Sequence, residues 1–270
     1  MLLPLPRPQK VRECIYCGAS NVVLGTEHII PYALNGDYTI PEASCTACEK
    51  VTSRFERDTL RCLYFDARNV LRMRSRHSRP RLEYLKIYTE FDFDGPTKDV
   101  KLEEYPLYLP IPKLRPPGAI CGRPPDPGYP VEIEFRHIAG PSTEDYAKSN
   151  AYATVASRLN YSPTDFSRSI AKIGFCAAVK SLGIEPLRGL PIISAILGQD
   201  FKLGYWVGSS TFQHEYSLSG LHTILVRCSG RDIHVFIRLF SQFTDHEYHV
   251  FVGSVNPVYT HSEQWPFKEP

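Results

Sequence analysis

Residues 14–48 decide the fold of the N-terminal region and read CIYCGASNVVLGTEHIIPYALNGDYTIPEASCTAC. A Cys-x-x-Cys pair opens this stretch and a second pair closes it, with 27 residues between the two pairs. Each pair can present two thiolates to one metal ion, and four thiolates satisfy a structural Zn²⁺ with no open position. Gly18 follows the first pair and fits the tight turn that such a pair requires. The spacing therefore predicts a structural zinc site made of Cys14, Cys17, Cys45 and Cys48.

The composition describes a chain that can bury a core. It has 270 residues, of which 43% are apolar and 12% aromatic, which excludes a disordered protein. No apolar run reaches the roughly 18 residues that span a bilayer, and the N-terminal segment MLLPLPRPQK does not have the pattern of a signal peptide. We therefore expect a cytoplasmic protein without a membrane partner, in which clustered cysteines are metal ligands rather than disulfides.

Three parts follow one another along the chain. Residues 11–81 hold the cysteine pairs and, from Ser53 to Met73, apolar residues at helical spacing. Residues 82–130 begin with alternating segments that predict strands up to residue 105. The proline-rich segment after them predicts an extended connector, or a cover over another surface, without a helix, because each proline removes an N–H and fixes φ.

Residues 131–270 form the third part, which predicts a mixed α+β region. Its clearest helix covers 162–183, with Thr164 as the N-cap and Gly183 at the end. Three segments rich in β-branched and aromatic residues predict an antiparallel meander near the C-terminus: LHTILVRC, DIHVFIRLF and EYHVFVGS.

The segment between the cysteine pairs contains EHIIPYAL, and a helix starting EKVTSRFE follows the second pair. This order of cysteine pair, Glu-His-Ile-Ile-Pro, cysteine pair and helix resembles the HNH endonuclease family, over Cys14 to about Arg61. The resemblance implies an α+β fold in which a zinc-braced ββα unit wraps a catalytic metal. A mixed α+β domain with an antiparallel sheet would then follow this HNH module.

The resemblance also implies roles for individual residues. His28 would be the general base that takes a proton from the attacking water, a task that suits the pKa of an imidazole. Glu27 and Glu49 would hold a catalytic Mg²⁺ or Mn²⁺, although the family usually has Asn or His at the position of Glu49. Glu56 lies two helical turns after Glu49 on the same face, as a further ligand or an orienter of one. Pairing of Glu56 with a nearby arginine is the alternative.

One position departs from the family pattern. The resemblance places an asparagine that braces the loop of the base about five residues before the third cysteine, near Ile40. No asparagine is present there. Asn35 is the nearest, and its place before Gly36 suits a turn.

Arginines are concentrated in residues 54–81. Nine arginines minus three acidic residues give this segment a charge of +6, against +2 for the whole chain. Arginine side chains beside a phosphodiesterase site can hold a nucleic-acid backbone, without reading its sequence. A solvated helix face is the alternative. The predicted nucleic-acid-binding residues are Arg54, Arg57, Arg61, Arg68, Arg72, Arg74 and Arg76.

Together these patterns predict a metal-dependent HNH endonuclease that hydrolyses phosphodiester bonds of DNA. The region 131–270 would regulate the nuclease, form a homodimer or read the target, in a setting such as bacterial or phage defence. The alternative is a zinc-stabilised nucleic-acid-binding protein whose HNH centre has decayed.

Overall fold

The computed structural model describes residues 11–75, 80–90, 94–215 and 220–255, together with the backbone of 265–268. Within these ranges the chain has a mixed α+β fold, and every pair of neighbouring strands is antiparallel. The N-terminal elements are β1 (Leu24–His28), β2 (Thr39–Cys45), α1 (Thr46–Cys62) and α2 (Phe65–Val70).

The N-terminal elements follow one another in the order strand, strand, helix. β1 pairs with β2, and α1 begins at the residue after β2. The helix predicted from Ser53 to Met73 therefore begins earlier, at Thr46, and it ends at Cys62 before the separate helix α2. The early turn was missed because its polar residues and cysteines carry no apolar periodicity. Ile29 and Ile30, directly after β1, are fully buried and anchor the strand end.

The middle part contributes two small sheets. Its elements are β3 (Tyr84–Tyr88), β4 (Thr97–Lys101), β5 (Leu107–Lys113) and α3 (Gly118–Cys121). The pairing of β3 with β4 confirms the strands predicted before residue 105. The expectation of an extended connector without a helix is wrong, since the proline-rich segment contains both β5 and α3. β5 pairs with one strand, β6 (Glu132–Ala139). Pro110 and Pro112 are two residues apart in β5, so the positions at which they lack an N–H fall on the same edge of the strand.

The C-terminal part packs helices on a five-stranded sheet. Its remaining elements are α4 (Thr143–Ser149), α5 (Pro163–Leu182), α6 (Ile192–Ile196), α7 (Leu203–Trp206), β7 (Val207–Ser209), β8 (Thr223–Ser229), β9 (Asp232–Arg238), β10 (Tyr248–Ser254) and β11 (Trp265–Lys268). The strand order is β11-β8-β9-β10-β7. The successive pairing of β8, β9 and β10 confirms the predicted meander.

The long helix α5 has the predicted extent but a different N-cap. The hydroxyl oxygen of Ser162 accepts a hydrogen bond from the N–H of Asp165 at 3.2 Å. Pro163 occupies the first helical position, as is common for proline, and this leaves Thr164 inside the first turn. Gly183 ends the helix with a φ of +79°, as predicted.

Helix α5 lies between the N-terminal elements and the C-terminal sheet. It packs against α1 on one side and against β8, β9 and β10 on the other. A Cβ atom at Gly174 would lie 2.7 Å from the Cβ of Val250, so the absence of a side chain lets the sheet approach the helix closely. One apolar core therefore runs from the N-terminal ββα elements through α5 to the sheet. Among the described residues, none of the helices combines the length and apolar character needed to cross a membrane.

Candidate functional site

The four cysteines predicted to bind zinc meet in one cluster. Their Sγ atoms all lie within 4.8 Å of one another, and those of Cys17 and Cys45 are 3.7 Å apart. A disulfide bond is about 2.05 Å long, so this contact is not a disulfide. Two sulfurs that each lie about 2.3 Å from a tetrahedral metal are separated by about 3.8 Å. The cysteine cluster (Cys14, Cys17, Cys45 and Cys48) therefore fits a structural metal ion such as zinc.

Local backbone structure places these thiols. The N–H of Gly18 donates to the carbonyl of Cys14 at 2.8 Å, and Gly18 has a φ of +75°, which glycine adopts without strain. Cys45 is both the last residue of β2 and the N-cap of α1, so Cys48 falls in the first helical turn. Burial raises the pKa of Cys45, but the N–H of Cys48 and the neighbouring thiols outweigh it and lower that pKa to about 7. A thiol of this kind is a ready metal ligand.

Glu49, the residue that follows Cys48 in the sequence, lines a cleft of about 300 Å³. The end of β1 supplies Glu27 and His28 to its wall, and α1 supplies Glu49 and Glu56. A β-bulge shifts the register of β1 against β2 between Gly25 and Glu27, and such bulges re-aim side chains. The structure thus brings all four predicted catalytic residues to one cleft.

Sequence reasoning missed one charged residue that lies behind the cleft lining and contacts two of its acids, Lys172. This lysine lies on α5 and is 0% exposed. Its ammonium lies 2.7 Å from Oε1 of Glu27 and 2.8 Å from Oε1 of Glu56, and it donates to the backbone carbonyl of His28. Burial alone would lower the pKa of Lys172, but the carboxylates of Glu27 and Glu56 raise it well above its ordinary value. The side chain is therefore a buried cation with two anionic partners.

The available signal for Lys172 was a lysine between the apolar residues Ala171 and Ile173 in the middle of α5. Fully buried lysines are almost always paired, so the sequence hinted at a partner. It did not say which acid would be that partner.

The carboxylates of the cleft differ in how far they are engaged. Glu27 and Glu56 each give one oxygen to Lys172, and Glu49 is exposed. Among the residues that the structure describes, only the cysteine cluster gathers three or more ligand atoms within 4.8 Å. The cleft therefore holds no preassembled carboxylate cage. Its oxygen donors fit Mg²⁺ or Mn²⁺, since Mg²⁺ is usually bound through one or two carboxylates and keeps several waters.

Three of the predicted nucleic-acid-binding arginines line the cleft: Arg57, Arg61 and Arg68. Arg57 and Arg61 are exposed. Arg68 is half-buried, and its Nε donates to the carbonyl of Ala33 at 3.0 Å. Burial lowers the pKa of Arg68, with a smaller effect from the charge of Arg61. Arg68 therefore braces the loop after β1 in addition to lining the cleft.

The other four arginines lie elsewhere. Arg54 is exposed on α1, outside the residues that line the cleft. Arg72 lies 3.5 Å from a carboxylate oxygen of Glu103. Arg74 forms an ion pair with Asp37. Arg76 lies outside the described residues.

The loop between β1 and β2 is held by donors that lie far away in sequence. His222 contacts the carbonyl of Leu34 through Nε2 at 2.7 Å, and Lys180 donates to the carbonyl of Thr39 at 2.8 Å. Asn35 follows a short 3-10 turn with a φ of +63°, as expected of a turn residue, and its Oδ1 accepts from the N–H of Arg74 at 2.9 Å. These contacts brace the loop at places other than the asparagine position that the resemblance implied.

A larger groove of about 980 Å³ continues from the cleft. The two depressions share Arg61, Arg68 and Ser75. Phe65 and Tyr84 line the groove and are 38% and 46% exposed. We call this depression the arginine groove, because Arg72 and Arg81 extend the positive lining of the cleft along it.

The chain matches no protein-family model, no curated protein and no solved structure. Its function is therefore inferred from the geometry of the cysteine cluster, the cleft and the arginine groove.

Proposed function

We propose that the chain is a metal-dependent endonuclease of the HNH type that hydrolyses phosphodiester bonds of DNA. The observation that carries the proposal is a single cleft lined by Glu27, His28, Glu49 and Glu56. Glu49 directly follows Cys48, a member of the four-cysteine cluster. The cysteine cluster would hold structural zinc, and the cleft would hold the catalytic Mg²⁺ or Mn²⁺.

In this mechanism His28 acts as the general base. Its ring takes a proton from a water molecule whose oxygen attacks the phosphorus atom. The bond from phosphorus to the leaving oxygen breaks, and that oxygen takes up a proton from solvent. An imidazole, with an ordinary pKa of about 6.5, accepts protons efficiently near neutral pH.

The carboxylates of the cleft have a second task. Glu27 and Glu49 would hold the catalytic ion, and Glu56 would orient Glu27 through their common partner Lys172. When bound, Mg²⁺ or Mn²⁺ would stabilise the negative charge that develops on the phosphate and the leaving oxygen.

The arginines support DNA as the substrate. Arg57 and Arg61 border the cleft, where their guanidinium groups can contact phosphates on either side of the scissile bond. The arginine groove adds Phe65 and Tyr84, and exposed aromatic side chains in a positive groove can stack with bases.

The test is plasmid digestion with Mg²⁺, Mn²⁺ or EDTA by the wild-type chain and the His28→Ala variant. Since a general base contributes about 10²–10⁴-fold, we expect His28→Ala to lower nicking at least about 100-fold. Zinc content and DNA binding should stay as in the wild type. His137→Ala, at an exposed histidine on β6, is the matched control and should keep full activity. Full nicking by His28→Ala would overturn the assignment.

A second candidate function is favoured by the ion pairs of Lys172. Because Glu27 and Glu56 each give an oxygen to its ammonium, the cleft also fits a nucleic-acid-binding protein whose nuclease centre has decayed. The same assay separates the two functions. A wild-type protein that retards DNA in a gel but leaves it uncut with every metal ion would support this second function.

A further inference from the structure

Lys172 contacts two acids of the cleft from the part of the chain that carries no recognised motif. Its ammonium forms ion pairs with the carboxylates of Glu27 and Glu56 and donates a hydrogen bond to the backbone carbonyl of His28. The exposed fractions of the Lys172 and Glu27 side chains are 0% and 7%, so both charges are removed from water. Burial of charges is tolerated only when they are paired and hydrogen-bonded.

The contacts of Lys172 join the elements that form the cleft. Glu27 and His28 end β1, Glu56 lies on α1, and Lys172 itself lies on α5. The ammonium therefore fixes the carboxylate of Glu27 relative to α1, and it fixes the backbone that carries the His28 ring.

Lys172 also offsets part of the negative charge of the cleft acids. Its ammonium compensates one of the charges that Glu27 and Glu56 carry when ionised, on the buried side of the cleft. Without the ammonium, two carboxylates that share one cation would face each other uncompensated.

We propose that Lys172 is a positioning residue of the cleft, which aligns Glu27 and His28 and limits the negative charge offered to the catalytic ion. The inference rests on the proposed nuclease function, and it gives α5 a direct part in the site. Lys172 touches no substrate in this role, because it acts through Glu27 and the backbone of His28.

The test uses Lys172→Met and Lys172→Arg in the full chain. Lys148→Met is the control, since Lys148 is an exposed lysine on α4 that contacts Glu144 and lies outside the residues that line the cleft. Two quantities are measured at one fixed pH: the nicking rate at saturating DNA and metal, and Mn²⁺ affinity from the electron paramagnetic resonance signal of free Mn²⁺. Zinc content and thermal unfolding report on folding.

For Lys172→Met we expect the rate and the affinity to change in opposite senses. Nicking should fall at least about 100-fold, because small displacements of reacting groups are costly. Mn²⁺ should bind about tenfold more tightly, because a positive charge a few ångströms away has been removed. General damage to the fold would weaken Mn²⁺ binding, so tighter binding distinguishes positioning from stability. Lys148→Met should stay within about threefold of the wild type in both quantities, since it removes an exposed charge and no contact to the cleft acids.

Lys172→Arg separates charge from position and covers the case in which Lys172→Met does not fold. It keeps the positive charge but forces a planar, larger group into a fully buried site. We expect unchanged Mn²⁺ affinity and nicking at least about tenfold slower. Wild-type nicking by this variant, or a Lys172→Met protein that matches Lys148→Met in both rate and affinity, would overturn the inference.

The outcome also distinguishes this inference from the proposed function. If the wild type binds Mn²⁺ without cutting DNA while Lys172→Met binds Mn²⁺ more tightly, the nuclease proposal fails and the charge-setting role of Lys172 stands. If the wild type neither cuts DNA nor binds Mn²⁺, both are overturned.

Discussion

The cysteine cluster and the cleft adjoin on α1, where Cys48 belongs to the cluster and Glu49 lines the cleft. The two sites are nevertheless assembled in different ways. The cluster brings four thiols within 4.8 Å of one another, and three of the four cysteines are buried. The cleft has exposed Glu49 at its wall, while Glu27 and Glu56 are tied to a buried ammonium. The four thiols of the cluster face one another, whereas the cleft has an exposed acid, Glu49, in its wall.

The two sites differ in how far each depends on the rest of the fold. The cysteine cluster is built from a turn, a strand end and the first turn of the adjoining helix, all within residues 14–48. The cleft additionally requires α5, which supplies Lys172 from the C-terminal part. Loss of the cluster should therefore destabilise the protein strongly, whereas a change at Glu49, the exposed acid of the cleft, should alter activity with little effect on stability.

The largest effect is expected from breaking the cysteine cluster with Cys45→Ser. Structural zinc contributes directly to the free energy of unfolding, so loss of one thiolate should lower it by at least about 4 kcal/mol. Thermal unfolding and zinc content measure this. The control is Cys62→Ser, because Cys62 is an exposed cysteine on the same helix outside the cluster. A Cys45→Ser protein as stable as Cys62→Ser would contradict a structural role for the cluster.

The opposite pattern is expected from Glu49→Gln in the cleft. Nicking should fall at least about 100-fold, since a charged oxygen ligand for the catalytic ion is replaced by a neutral one. The free energy of unfolding should fall by less than about 1 kcal/mol, because Glu49 is exposed and loses only its favourable place in the first turn of α1. Nicking kinetics and chemical denaturation measure the two quantities. Glu144→Gln, at an exposed acid on α4, should leave both unchanged. A Glu49→Gln enzyme with wild-type activity would remove Glu49 from the proposed metal site.

The sequence was sufficient where short-range spacing determines structure. The two Cys-x-x-Cys pairs predicted the cysteine cluster. The spacing of Glu49 and Glu56 placed both on one helix face, and the structure brings both to the cleft. In each case the interacting residues are separated by a turn, a helical repeat or one strand pairing.

Long-range contacts were beyond the sequence argument. Lys172 meets Glu27 across 145 residues, and nothing in the local pattern of α5 names that partner. Arg68 was predicted to bind nucleic acid, but its contact with Ala33 depends on how α2 packs beside the loop after β1. The strand β5 was overlooked because proline is a poor strand residue in general, although alternating prolines are compatible with a strand paired on one edge.

The smallest effect is expected from replacing a single arginine that borders the cleft. The effect on DNA affinity tests whether bound DNA follows the cleft and the arginine groove. Arg61 lines both the cleft and the arginine groove, whereas Arg54 is exposed on the same helix outside the cleft lining. Arg61→Gln should weaken DNA binding by about three- to tenfold near 0.1 M salt. It should also reduce the slope of log affinity against log salt by about one, as for loss of one phosphate contact. Fluorescence anisotropy over a salt series measures both quantities. Arg54→Gln should leave the slope unchanged, and an equal loss in the two variants would show that overall charge, not the path of the groove, holds the DNA.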